Sequence, residues 1–182
     1  MRSFIAIDLS PSIKASINDF IQQNNVKKYF SGIRWIKFHN LHITLAFLGE
    51  ISIDEVSTVK KILENISLKH MSFPIELSGF GFFPNFKNPK VLWIGIKEQP
   101  ELMTLKQDID MGLDTFNIFY DKKPFSPHLT IGRIKPPLKF KPEIAETLDF
   151  KASFLVTEIH LMKSDLLPGG PVYTDLYNVK FG

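Results

Sequence analysis

Apolar and polar positions repeat along this chain with two periods, one near two and one near 3.6, and the changes between them divide it into strands and helices. Residues 2–9 are almost continuously apolar through Phe4-Ile5-Ala6-Ile7 and predict a buried strand. Ser10-Pro11 then opens a helix on which Ile13, Ile17, Phe20 and Ile21 share one face. Strands are predicted over residues 33–37 and 41–48, the second ended by Gly49. Ser52 followed three residues later by Glu55 is a capping box, and the helix after it carries Val56, Val59, Ile62, Leu63 and Ile66 on one stripe. Residues 73–83 and 90–96 read as a hairpin with a long loop of prolines and asparagines, and residues 101–116 as a third helix striped by Leu102, Leu105, Ile109 and Leu113.

The second half repeats this outline. A strand is predicted over residues 125–134, a proline-rich connection at Pro136-Pro137, a short helix over 142–148, and closing strands over 154–162 and 172–181 around a turn-rich loop at 165–171. Strands and helices mixed in this order, with antiparallel hairpins, indicate an α+β fold.

Two of these strands carry the same short pattern. His42-Ile43-Thr44-Leu45 and His128-Leu129-Thr130-Ile131 are both His-apolar-Thr-apolar. Side chains alternate faces along a strand, so each copy presents one imidazole and one hydroxyl on one side and two aliphatic groups on the other. One copy alone would be an ordinary strand histidine. Two copies 86 positions apart suggest two lobes related by a rough two-fold, each lending one motif strand to a central cleft. Two imidazoles in one cleft suit a reaction in which a proton is removed at one atom and delivered at another. His39, His70 and His160 have no such partner and are expected to be structural or on the surface.

Composition narrows the setting. The 182 residues, 44% hydrophobic, suffice for one domain with its own core. The start of the chain is too short and too polar for a signal peptide, no apolar run is long enough to span a membrane, and no cysteine is present, so a cytoplasmic location is the expectation. A net charge of +3 permits a phosphate-bearing substrate without requiring one. No Gly-x-x-x-x-Gly-Lys loop or Gly-x-Ser-x-Gly elbow occurs, and the histidines lack zinc-ligand spacing. Gly169-Gly170 is read as a tight hairpin turn.

With these motifs in place the chain resembles the two-histidine phosphoesterase superfamily, and within it the RNA 2′,3′-cyclic phosphodiesterases, also called 2′-5′ RNA ligases. The resemblance rests on Arg2-Ser3-Phe4-Ile5-Ala6-Ile7, on Arg34-Trp35-Ile36 with residues 40–49, on Pro127-His128-Leu129-Thr130-Ile131-Gly132-Arg133, and on Lys163-Ser164 with residues 168–173. It implies a single bilobal α+β domain over residues 1–182, with two antiparallel sheets flanked by helices around a central cleft. It implies hydrolysis of a cyclic phosphate at an RNA or nucleotide end to a 2′-phosphate, with 2′-5′ ligation as a further reaction, no cofactor and no metal, no membrane association, and a monomer. By similarity His128 is the base and His42 the acid, while Thr44 and Thr130 donate to the phosphate oxygens. An RNA-end binding or repair-accessory module without significant turnover is the alternative.

Arg133 stands where similar enzymes place a phosphate-binding arginine, yet strict alternation turns it away from His128 unless Gly132 marks a bulge. Arg2 and Arg34, the only other arginines, are secondary candidates for the RNA backbone. Ala46 falls on the His42 face where many relatives carry a basic residue, and Phe80, Phe82, Phe83 and Phe86 are read as core packing and loop anchoring.

Overall fold

The apolar run at the start of the chain becomes the middle of a sheet. In a computed structural model, which describes residues 1–139, 144 and 147–182, β1 (Arg2–Asp8) is buried along nearly its whole length between two antiparallel neighbours. The first sheet has the order β3 (His42–Glu50), β1, β8 (Glu158–Leu167), β9 (Gly170–Lys180). The second has the order β2 (Ser31–Trp35), β6 (His128–Lys139), β5 (Val91–Ile96), β4 (Phe73–Phe83), β7 (Lys151–Val156), again antiparallel throughout. The α+β class and the two antiparallel sheets agree with the sequence reading. The sheets are not, however, successive halves of the chain. β2, from the first half, sits at the edge of the second sheet, and β8 and β9, from the second half, complete the first.

The helices form where periodicity places them. α1 (Pro11–Gln23) starts on Ser10, whose hydroxyl accepts the Ile13 N–H, and has proline in its first turn. A four-residue helix, α2 (Val26–Tyr29), follows it. α3 (Ile53–Ser67) opens with the expected capping box: the Ser52 hydroxyl accepts the Glu55 N–H at 3.2 Å and the Glu55 carboxylate accepts the Ser52 N–H at 2.7 Å. α4 (Pro100–Thr115) buries Leu102, Leu105, Ile109 and Leu113 completely. These side chains join Val59 and Leu63 of α3 and Ile5, Ile43, Ile75, Ile94 and Leu129 of both sheets in one contiguous core.

Three expectations are corrected. The strand expected over 154–162 is two strands in different sheets, because β7 ends at Val156 opposite Phe73 and β8 starts at Glu158 opposite Lys180. Alternation reports which face a residue takes, not which neighbour it pairs with, so the change of sheet at Thr157 left no mark on it. The loop expected over 165–171 is mostly ladder: β8 and β9 stay paired as far as Leu167 and Gly170, with Pro168-Gly169 as the turn. Pro171 is accommodated because β9 is an edge strand, where a missing N–H costs no ladder bond. Pro136-Pro137 lie inside β6, not in a connection. There β6 advances from Ile134 to Lys139 while β2 advances only from Ile33 to Ser31, so the prolines occupy a bulge. The short helix expected over 142–148 falls largely outside the described residues.

Gly112 lets α3 and α4 approach closely, since a Cβ there would lie 2.5 Å from Ile62 Cγ2. Helix propensity favours Ala over Gly by about 1 kcal/mol. Here the contact opposes it, so Gly112→Ala is expected to lose roughly 1–2 kcal/mol in urea unfolding, on the scale of overpacking, and to lose less in an Ile62→Ala background.

Candidate active site

Both motif strands bury their aliphatic face and open the other. Ile43 and Leu45 on β3, and Leu129 and Ile131 on β6, are at most 2% exposed, whereas His42, Thr44, His128 and Thr130 are only partly covered. β3 is the edge of its sheet and lies against β6. The two polar faces therefore meet: one cavity of about 210 Å³ is lined by His42, Thr44, Phe47, His128, Thr130, Arg133 and Tyr173.

Each imidazole is held by the same local device. His42 Nδ1 lies 2.7 Å from the Asn40 carbonyl oxygen, and His128 Nδ1 lies 2.7 Å from that of Ser126, two residues earlier in each case. A carbonyl can only accept, so Nδ1 carries the proton in both rings and Nε2 is left for chemistry. Beyond this the two differ. His42 Nε2 is 3.1 Å from Thr44 Oγ1, and its ring packs against Phe4 at 4.8 Å and edge-on to Tyr173 at 5.1 Å. Among the described residues the one aromatic ring against His128 is Phe83, in a T-shaped contact at 4.8 Å.

A buried scaffold fixes the approach to His42. Lys14 of α1, 8% exposed, pairs with Asp8 at 2.7 Å and donates to the His39 carbonyl at 3.0 Å, tying the helix to the 3-10 turn Phe38–Asn40. Asn40 donates its side-chain amide to the Pro171 carbonyl at 2.9 Å, which joins the β8–β9 hairpin to the same turn.

Electrostatics push both imidazoles toward the neutral form. Burial holds the His42 pKa below its usual 6.5; the Asn40 carbonyl and Asp8 oppose this, and the positive charges of Lys14 and Arg133 add to it. Burial likewise lowers His128, against the Ser126 carbonyl and assisted by Arg133. Tyr173 is raised by burial, with Arg133 and Arg2 pulling the other way.

The position of Arg133 follows from a bulge. Across β5 and β6, Trp93 pairs with Thr130 but Leu92 pairs with Gly132, so Ile131 is the extra residue and Arg133 returns to the His128 side. β3 carries its counterpart. Ala6 pairs with Thr44 and Ile5 with Ala46, leaving Leu45 extra. Ala46, expected on the His42 face, is consequently turned into the core at 4% exposed, and Phe47 emerges into the cavity at 48%. Phe47 stands five residues after His42, as Arg133 stands five after His128. That shared spacing is the signal that would have found it.

The remaining histidines have structural partners or face solvent: His70 bonds Asp108 at 2.8 Å, His160 bonds Asp175 at 2.8 Å, and His39 is exposed. Phe80 stacks on Phe20 and Phe82 packs against Phe30, as core packing predicts, but Phe83 belongs to the cleft through His128. Tyr173, read only as part of a family motif, forms the wall between His42 and the outer groove. Among the described residues no cluster of three or more His, Asp or Glu side chains could hold a metal ion, and no helix is long and apolar enough to cross a membrane.

Paired His-x-Thr strands that face one another across a cleft between two antiparallel sheets define a two-histidine architecture. The chain belongs to the 2′-5′ RNA ligase superfamily, whose model matches residues 11–166. It is 33% identical to an RNA 2′,3′-cyclic phosphodiesterase of Thermotoga maritima, over 100% of this chain and 96% of that one. It is 37% identical to one of Methanocaldococcus jannaschii, over 95% and 96%. Among solved structures, a protein of Thermus thermophilus superposes with a TM-score of 0.85 at 28% identity, covering 100% of this chain and 98% of the other. E. coli LigT complexed with 3′-AMP superposes with a TM-score of 0.76 at 28% identity, covering 99% and 97%.

The shared influence of Arg133 can be measured. In Arg133→Gln, NMR titration should find both imidazole pKa values higher than in the parent protein, because one repelling charge is gone. Stability responds in a defined direction: with folded-state values below 6.5, the unfolded chain binds more protons in that interval, so stability should fall as pH drops below about 6.5 and return above it. A flat denaturation profile between pH 5 and 7 would contradict this.

Proposed function

We propose that this protein hydrolyses 2′,3′-cyclic phosphate ends of RNA to 2′-phosphates with its histidine pair and without a metal. The observation that carries this reading is the single cavity into which facing strands bring two imidazoles, each with Nδ1 tied to a carbonyl, together with two hydroxyls and a guanidinium. The relatives' name, RNA 2′,3′-cyclic phosphodiesterase, supports it, as does the nucleotide 3′-AMP in the LigT complex.

In this mechanism His128, the more open ring, takes a proton from water as its oxygen attacks phosphorus. The P–O3′ bond breaks, and His42 delivers a proton to the departing 3′ oxygen, leaving a 2′-phosphate and a 3′-hydroxyl. Thr44 and Thr130 donate to the non-bridging oxygens as charge builds on them, and the Arg133 fork binds the same phosphate. Burial works against a protonated His42, and the bound phosphate anion is what restores it.

Turnover of a short RNA bearing a 2′,3′-cyclic phosphate should survive EDTA and yield a 2′-phosphate. Abolition by EDTA with rescue by zinc or magnesium would sink the metal-free mechanism, while retained binding with no turnover would favour an RNA-end binding module. His42→Ala should cripple hydrolysis of the ribonucleotide but spare a substrate with an activated leaving group, which needs no proton. Thr44→Val or Thr130→Val should each lower kcat by roughly 10- to 1,000-fold, the scale of losing one donor to a developing oxyanion.

The pH profile gives a separate check. Since both free imidazoles titrate below 6.5, kcat/KM should peak on the acid side of that value. The kcat profile should peak at higher pH, because bound phosphate raises both pKa values. Profiles with coincident maxima would show that the anion does not act on the pair.

A further inference from the structure

Beside the two-histidine cavity lies a larger groove of about 620 Å³, and the two share Phe47, Arg133 and Tyr173 as a common wall. The groove is lined by Arg2, Arg34 and Arg133, the only three arginines among 22 basic residues, and among the described residues by no lysine. Arginine suits phosphate because its planar fork binds two oxygens at once, which a lysine ammonium cannot do.

The arginines are placed against their own interest. Arg34 and Arg133 are direct cross-strand partners on β2 and β6 and share one face of the sheet. Like charges in that position repel, and among the described residues neither guanidinium has a hydrogen bond or an ion pair. The two acids in the groove do not answer them. Glu50, although opposite Arg2 in register, is paired with the Met1 ammonium at 3.2 Å, and Asp121 with Lys123 at 2.9 Å. An anion between Arg34 and Arg133 would turn the repulsion into two charge-assisted contacts.

We propose that this groove is a second phosphate subsite, in which Arg34, supported by Arg2, binds the first internucleotide phosphate on the 5′ side of the reacting end. The inference rests on the reading of the cavity given above. A 2′,3′-cyclic phosphate is the 3′ terminus of its chain, so whatever remains of the substrate outside the reacting pocket lies 5′ of it. The groove adjoins that pocket, and Arg133 serves as the hinge between the terminal phosphate and the next one. Exposed Phe47, on the shared wall, offers a face for the base between the two phosphates. The subsite makes the protein selective for oligonucleotide ends over nucleoside 2′,3′-cyclic monophosphates.

The test compares kcat/KM for a cyclic-phosphate-ended hexanucleotide with that for a nucleoside 2′,3′-cyclic monophosphate. In Arg2→Gln/Arg34→Gln the ratio of oligonucleotide to mononucleotide should fall by at least roughly tenfold, through KM, and the slope of log KM against log salt should shrink by about one, for the one phosphate no longer neutralised. Replacing the internucleotide phosphate nearest the end by an uncharged methylphosphonate should abolish the difference between parent and variant. Arg34→Gln alone should melt no lower than the parent, since it removes a like-charge pair. A ratio within twofold of the parent's, or a variant effect that persists with the methylphosphonate, overturns the proposal. Should the parent turn over neither substrate, the hydrolytic reading fails by itself. The groove is then judged by fluorescence anisotropy with a hexanucleotide ending in 2′-phosphate: weaker binding in the double variant supports it, and equal binding overturns it.

Discussion

The cleft depends on one constraint, that the aliphatic face of each motif strand must be buried. Ile43 and Leu45 in one sheet, and Leu129 and Ile131 in the other, anchor in the common core, and period-two alternation then leaves the imidazoles and hydroxyls no direction but outward. A shift of either strand by one residue would exchange the two sets and empty the cavity of its polar groups. The register is held by the β1 and β5 ladders. Chemistry in the cleft is therefore specified by hydrophobic burial on the far side of the same strands.

Alternation also marks the limit of what could be read in advance. The His and Thr of both motifs, most strand and helix positions, the capping box at Ser52 and the α+β class were legible, because each depends on local period or local capping. Phe47 was not, since the extra residue at Leu45 sends Ala46 inward and turns Phe47 to the cavity. At Gly132 the same event could be suspected from the glycine; Leu45 carries no such sign. The exchange of strands between sheets was hidden for another reason: pairing partners far apart in sequence leave no trace in periodicity.

The two imidazoles share a tether but differ in setting. His42 is enclosed by Phe4 and Tyr173, and its backbone approach is secured by Lys14, Asp8 and Asn40, whereas His128 has, among the described residues, one aromatic neighbour, Phe83. Two similar motifs thus produce unequal protonation environments without any difference in the motif residues. The difference comes from the neighbours each sheet supplies.

The interleaving of the two halves has a consequence for how the chain is made. β1 pairs with β3 early in synthesis, but its other edge stays open until β8 emerges more than a hundred residues later, and β2 waits in the same way for β6. Pairings this far apart close large loops before they gain contacts, and such topologies fold slowly. A ribosome-bound fragment ending before residue 158 exposes the unpaired edge of a nearly all-apolar strand, a template for unwanted association. The groove and cavity, each walled by residues from both ends of the sequence, come into existence only when the last strands dock.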